Sequence, residues 1–521
     1  MSLASDARPV PHFRWYLLLA LLAGAILPLG FAPLDIWPVT ILSPAILLVL
    51  LFGRSTRQAF WLGYAFGLGQ FGVGVSWVYL SLNLFGGAIA PIAALITLLF
   101  FGALALYIAL TTWLAVWASS AAPAGTPADR KQLWRLILAF SGSWVFVEWL
   151  RGWVLSGFPW LDLGVAQING PLGGFLPLVG EYGVSLITVL MAGLLAWWIT
   201  EARRQQTDGL KAAGILVSVF VLIIGLGIGL SRIHWTQPVG KPLMVGLAQA
   251  NEPQMQKFDP AFLNRTLHTY LDLSDRIGPA DLIIWPETSI PDVLSNLGWF
   301  REILEKRSAA TQTDYLVGTF TQDGDGHYYN SMVGIPSQVG SHRKAHLVPF
   351  SEYMPLRPIM DLFSGLIDIP MSDLTPGAVD QSLPTVQGVR IGPSICYEAD
   401  FARDVRHDLP TAGVLVNISN DSWFGDSLAP HQNLQMAAVR ALEFGRPMVR
   451  ATNTGISAFI DAQGQITKTL GVDRQGILKS EVQPYQGTTP FYHLQSWPII
   501  LFAIMFWGGA WLWRRRIMRA D

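Results

Sequence analysis

One cysteine in 521 residues leaves the chain no intramolecular disulfide. Charge is also scarce. Asp, Glu, Lys and Arg make up 14%, where an ordinary soluble domain carries about a quarter. The formal net charge is −1 and no domain is basic, which argues against a nucleic-acid partner. Zinc-finger spacing, a phosphate-loop glycine pattern and Cys/His clusters are all missing, so no metal or cofactor is expected. Asp323-Gly324-Asp325-Gly326 lacks the remaining ligands of a calcium loop, including the closing glutamate, and reads as a hairpin turn.

Apolar residues are abundant and unevenly placed. They make up 51% of the chain, and the mean hydropathy is +0.38. Residues 13–235 form a series of long apolar stretches, 242–486 look like a soluble domain, and 496–513 are apolar again. A spanning helix needs about 20 apolar residues. About eight segments qualify: 14–32, 38–53, 58–80, 88–118, 132–150, 174–200, 211–231 and 496–513. The first resembles a signal peptide but reads as a retained anchor, because further spans follow it. The division is therefore a membrane domain over 1–240, a soluble domain over 241–486, and a final span with a basic tail over 487–521.

Basic residues in short loops set the orientation. Arg54 and Arg57, Arg130, Lys131 and Arg135, Arg203, Arg204 and Lys211, and Arg514, Arg515, Arg516 and Arg519 fall on one side if the count is eight. The loops Pro33–Pro38 and Leu80–Gly87 carry almost no positive charge. Both termini are then cytoplasmic and the soluble domain is extracytoplasmic, on the periplasmic face of a bacterial inner membrane. A chain with a single thiol suits that oxidising compartment.

Within 242–486, short apolar runs bounded by turn residues read as strands: Leu243–Ala248, Leu282–Trp285, Tyr315–Phe320, Met332–Ile335, Val389–Ile395, Val414–Ile418 and Ile456–Ile460. Helices are expected over 260–274, where Pro260 suits a first turn, and over 431–445. Strands interleaved with helices indicate a layered α/β domain.

The lone Cys396 stands in Pro-Ser-Ile-Cys-Tyr-Glu, at the end of one predicted strand. Glu287 stands at the end of another, in Trp285-Pro286-Glu287, and Lys344 lies between them in sequence. A thiol, a carboxylate and an ammonium can act as nucleophile, base and oxyanion partner. Each alone has a plainer reading: Glu287 as a helix cap, Lys344 as a solvated lysine beside Arg343, and Cys396 as a small core residue.

The order of these motifs resembles the Glu-Lys-Cys triad of the nitrilase superfamily. Trp149-Leu150-Arg151-Gly152-Trp153, Ser156-Gly157-Phe158-Pro159-Trp160, His346-Leu347-Val348-Pro349-Phe350 and Ser419-Asn420-Asp421-Ser422-Trp423-Phe424-Gly425 narrow the match. The chain looks like the superfamily's integral-membrane branch, the apolipoprotein N-acyltransferases, over nearly its whole length.

That resemblance implies an αββα sandwich for the soluble domain. It implies Glu287 as base, Cys396 as nucleophile, and Lys344 with the Tyr397 N–H as oxyanion donors. Glu352 and Glu398 would position the lysine and shape the pocket, and His346 would not be the base. The implied reaction moves an acyl chain from a phospholipid, through a cysteine thioester, to the N-terminal amine of a diacylglyceryl-cysteine apolipoprotein, without a cofactor. A membrane-anchored amidase or nitrilase using water is the alternative, and a transporter with a binding domain is a weaker one.

Phe258 stands where the family often has Trp, which removes an indole donor. The apolar stretch 353–371 reads as a lipid-facing lid, and 151–165 as an interfacial arm under the site.

Overall fold

The computed structural model describes residues 13–120, 130–204, 206–354 and 373–519. Among them, six helices are long and apolar enough to cross a bilayer: Phe13–Gly30, Ala90–Ser119, Arg130–Arg151, Gly173–Arg203, Gly209–Leu230 and Trp497–Met518. Thr56–Gly74 and Trp77–Phe85 form a pair bent by 56° that makes a seventh. The predicted span at 38–53 is shorter than expected. It forms the helix Val39–Leu51, 13 residues or about 20 Å at 1.5 Å per residue, against a hydrocarbon core of about 30 Å. Its apolar character has a second cause, since Leu47, Leu48 and Leu51 are buried against the rest of the bundle.

The helices pack through small residues, which let backbones approach where lipid offers no hydrophobic drive. A Cβ on Gly67 would lie 2.7 Å from the Cα of Ala105 on the neighbouring helix.

The soluble domain is a four-layer sandwich around two six-stranded sheets. The first sheet runs Gly476–Val482, Leu243–Gln249, Leu282–Ile284, Asp314–Gln322, Tyr328–Ile335, Ser341–Arg343. The second runs Ile466–Leu470, Ser457–Ile460, Met448–Thr452, Val414–Ser419, Val389–Ile395, Thr385–Val386. Alternation along the strands builds the layers. Val245, Leu247, Ile284 and Leu316 meet Ile391, Val416, Ile418 and Val449 between the sheets. Ile283, Trp285, Tyr315 and Val317 face outward onto Pro260–Ile277 and Gly298–Thr311. On the far side, Ala429–Phe444 covers the second sheet and packs against the membrane helices in one continuous core.

That helix is the main polar seam between the two halves. Arg440, fully buried, donates to Glu181 of the membrane part at 2.6 Å and lies 3.3 Å from Glu443. Glu443 in turn accepts from the Glu181 backbone N–H at 2.7 Å. Gln432 accepts from the Trp160 indole at 2.8 Å, and Gln435 accepts from Ala32 N at 3.1 Å. Arg440→Met would strand two buried carboxylates, a loss of about 3–5 kcal/mol for a broken buried pair. Unfolding of the variant in detergent micelles should show a loss of that size, and a change below about 1 kcal/mol, the scale of a surface pair, would contradict it.

Candidate active site

The carboxyl ends of the parallel strands carry the site. Leu243–Gln249, Leu282–Ile284 and Asp314–Gln322 run parallel in one sheet, and Val389–Ile395, Val414–Ser419 and Met448–Thr452 run parallel in the other. Loops leaving such ends converge, which is where open α/β sheets place their ligands. Trp285-Pro286-Glu287 follows one strand, Cys396 a second, and Asn420 and Asp421 a third.

The backbone at these exits is forced. Thr288, Phe350, Cys396 and Asp421 all have positive φ, between 50° and 62°, a region that non-glycine residues occupy only when their surroundings impose it. Gly318 explains part of this. A Cβ there would lie 2.2 Å from the Pro286 carbonyl and 2.6 Å from the Glu287 Cα, so the strand passes Glu287 too closely for any side chain.

Glu287 and Lys344 meet in one buried site, and Cys396 is near enough for the charges of both to act on its thiol. Lys344 is 1% exposed. Its ammonium lies 2.8 Å from Glu352 Oε2 and 3.7 Å from Glu287 Oε1. Glu352 is fixed by the Val348 N–H at 2.9 Å and by Asn330 Nδ2 at 3.0 Å. Asn330 also donates to Glu287 Oε1 at 2.7 Å, while the Asn420 backbone N–H donates to Glu287 Oε2 at 2.9 Å.

Protonation states follow from this enclosure. Burial lifts the Glu287 carboxyl above the ordinary glutamate range, against the pull of Lys344. Burial also pushes the Cys396 thiol up, and the charge of Glu287 adds to it while Lys344 opposes. For Lys344, burial works against the charge, but Glu352 and Glu287 outweigh it and hold the ammonium above the ordinary lysine range. At rest the sulfur therefore keeps its proton and the lysine its charge. The thiolate forms only as a base takes its proton.

The supporting residues divide. Glu352 holds the lysine. Glu398 instead clamps two loops together: it accepts from Ile395 N and Ala345 N, each at 2.7 Å, and from His342 Nε2 at 3.1 Å. Burial opposes its charge, but His342 and these amides keep its carboxyl below the ordinary range. Tyr397 lies in the first turn of the short helix Cys396–Asp400, where backbone N–H groups have no intrahelical acceptor. Its hydroxyl donates to the Gly157 carbonyl of the membrane part.

His346 is committed elsewhere, with Nδ1 2.5 Å from Asp404 and Nε2 2.9 Å from the Ser156 carbonyl. The predicted arm thus lies against the cysteine turn. A cavity of about 520 Å³ borders that turn through Ser394 and Glu398, and Trp153, His346 and Asp404 line it as well. Tyr353 reaches Ser156 at 2.7 Å. Residues 355–371 of the predicted lid lie outside the described residues. Phe258 is half-exposed, its ring 6.4 Å from Phe320.

Asn330, Asn420 and Lys257 were not singled out from sequence. Asn420 sits inside a quoted motif and could have been. Nothing local marks Asn330 or Lys257.

Cys396 is the only thiol, so alkylation by iodoacetamide reports on it alone. Its rate should fall as Glu287 is protonated, and the raised carboxyl places that acid limb above pH 4.5, the ordinary glutamate value. Glu287→Gln should flatten the limb. A limb at or below 4.5 would show that another group accepts the proton.

Residues 23–194 match the family described as the apolipoprotein N-acyltransferase N-terminal domain, and residues 244–489 match carbon-nitrogen hydrolase. A Methylococcus capsulatus protein named apolipoprotein N-acyltransferase is 39% identical over 503 residues, covering 96% of each chain. One of the same name from Azotobacter vinelandii is 39% identical over 512 residues, also covering 96% of each. A crystal structure of a Helicobacter pylori carbon-nitrogen hydrolase aligns over 53% of this chain and 96% of that one, at 14% identity and a TM-score of 0.35.

Proposed function

Since the chain belongs to the apolipoprotein N-acyltransferase family, we propose that it performs that transfer with Glu287, Lys344 and Cys396, taking the acyl chain from a phospholipid. The observation that carries the residue assignment is the shared enclosure of the three side chains, with Lys344 3.7 Å from Glu287 and held by Glu352.

In the first half-reaction the Cys396 sulfur attacks the carbonyl carbon of a phospholipid ester as Glu287 takes the thiol proton. The oxyanion is met by the Lys344 ammonium and the Tyr397 N–H. When the C–O bond breaks, Glu287 returns the proton to the leaving glycerol oxygen. Lysophospholipid departs and a thioester remains. In the second half, the N-terminal amine of a diacylglyceryl-cysteine attacks the thioester. Glu287 takes a proton from that nitrogen and delivers it to the departing sulfur. An amide is formed and the thiol is regenerated.

The bilayer context supports a lipid donor. The nucleophile's neighbour Tyr397 is bonded to the arm that follows helix Arg130–Arg151. With Val39–Leu51 counted as a crossing, the basic residues at the loop ends support a catalytic domain on the periplasmic side of the inner membrane.

Phospholipid alone should add one acyl mass to the full-length protein, labile to hydroxylamine and absent in Cys396→Ala. Lys344→Ala should slow its appearance about 10²–10³-fold, the usual cost of one oxyanion donor. The adduct should persist until a diacylglyceryl-peptide with a free N-terminus is added. Rapid fatty-acid release without the peptide would indicate a hydrolase instead.

The orientation is checked by fusing a reporter active only outside the cytoplasm after residue 240 and, separately, after 521. Activity is expected from the first fusion alone, and the reverse pattern would invert the assignment.

A further inference from the structure

Lys257 is a second buried lysine beside the base, and the acyl-transfer chemistry above leaves it unused. It ends the short helix Gln254–Lys257 and is 3% exposed. Its ammonium donates to the main-chain carbonyl of Glu287 at 3.1 Å and to the side-chain oxygen of Asn420 at 3.0 Å. Asn420 is the residue whose backbone N–H donates to Glu287 Oε2 at 2.9 Å. The same lysine therefore grips the base's backbone directly and its carboxylate at one remove.

The two lysines bear on different oxygens of the base. Lys344 approaches Oε1, which Asn330 also holds, while the path from Lys257 through Asn420 ends on Oε2. The surroundings of Lys257 contain little else for its charge. Glu252 is its other acidic neighbour and is shared with Arg265 at 3.2 Å. Asp421, next to Asn420, is taken by Arg450 at 3.0 Å. Asn453 completes the cradle, donating to Asn420 Oδ1 at 3.1 Å and to the Glu252 carbonyl at 2.8 Å. Lys344, Glu352 and Cys396 are the other titratable groups whose charges bear on Glu287.

We propose that Lys257 is a positioning residue for the general base, pinning the Glu287 backbone and, through Asn420, fixing Oε2 while Oε1 stays with Lys344 and Asn330. The inference rests on the acyl-transfer reading. A carboxylate that must take a proton from sulfur, return it to an oxygen, then take one from nitrogen has to present one face in three steps. Holding its main chain and both oxygens from separate anchors achieves that. Burial pushes the Lys257 ammonium down to about 7. The neutral amine still carries two N–H groups for its two acceptors, so the grip survives deprotonation. The positive charge does not, and that charge favours ionised Glu287.

The test uses full-length enzyme in mixed micelles with phosphatidylethanolamine, reading acyl-Cys396 by intact mass in single turnover across pH. Lys257→Met should lower the acylation rate about 10²-fold, the scale of a misplaced catalytic group. It should also move the acid limb to higher pH and leave the KM for phospholipid in place. A variant with the wild-type rate and limb overturns the proposal, as does a slower variant whose limb has not moved, which would make Lys257 packing only. If Lys257→Met does not fold by gel filtration, Lys257→Gln removes the same charge while keeping an N–H donor for the buried acceptors. The same upward shift of the limb is then expected, and an unmoved limb overturns the proposal. If wild-type enzyme forms no adduct, the acyl-transfer reading itself fails, whatever the variants do.

Discussion

An ammonium kept 1% exposed needs carboxylates around it, and Lys344 has two. Much of the site follows from dividing labour between them. Glu352, in direct contact and pinned by Val348 and Asn330, balances the charge. Glu287 lies 0.9 Å further off by the difference between 3.7 and 2.8 Å, and in the proposed mechanism it is the one that gains and loses a proton. A single carboxylate could not do both. Balancing Lys344 alone, it would be held ionised and become a poor acid in the return step. The same burial pushes the Cys396 thiol up, so the sulfur keeps its proton at rest.

Around this centre, buried charge is used again at the seam between the halves. Arg440 with Glu181 and Glu443 is a buried cluster that adds little net stability but is severe on any misfit. Placed on the helix that backs the second sheet, it fixes that sheet, and hence the cysteine strand, against the bundle. Arg450 does the same inside the sheet, bonded to Asp421 and Asn417.

Arg450 also explains what the sequence concealed. The strand Met448–Thr452 lies wholly inside the sandwich but was not expected, because an arginine at its centre breaks the apolar run. Its partner Asp421 is 29 residues away, beyond the reach of any local pattern. The strand Gly476–Val482 was missed for a related reason: alternating Lys479 and Glu481 hide a half-covered edge. Long apolar segments were legible because bilayer thickness sets their length. Yet Val39–Leu51 shows that burial among helices makes the same composition at a shorter length. Of the site, Glu287, Lys344 and Cys396 were readable because each ends a strand in a distinctive motif. Asn330 and Lys257 were not, since a buried lysine or asparagine looks like a surface one until its partners are placed.

The catalytic half is latched to the arm through main-chain oxygens. Tyr397 takes the carbonyl of Gly157, His346 that of Ser156, and Arg403 those of Gly152 and Ser156. Such a latch reads the path of the chain rather than its side chains. The arm keeps that path through Leu155, Ser156 and Gly157, all with positive φ. Inherited change is then unevenly tolerated across the joint. The bonds to the carbonyls of Gly152, Ser156 and Gly157 survive any exchange there that retains the turn, whereas the donors are particular side chains, and replacing one loosens the joint next to Cys396.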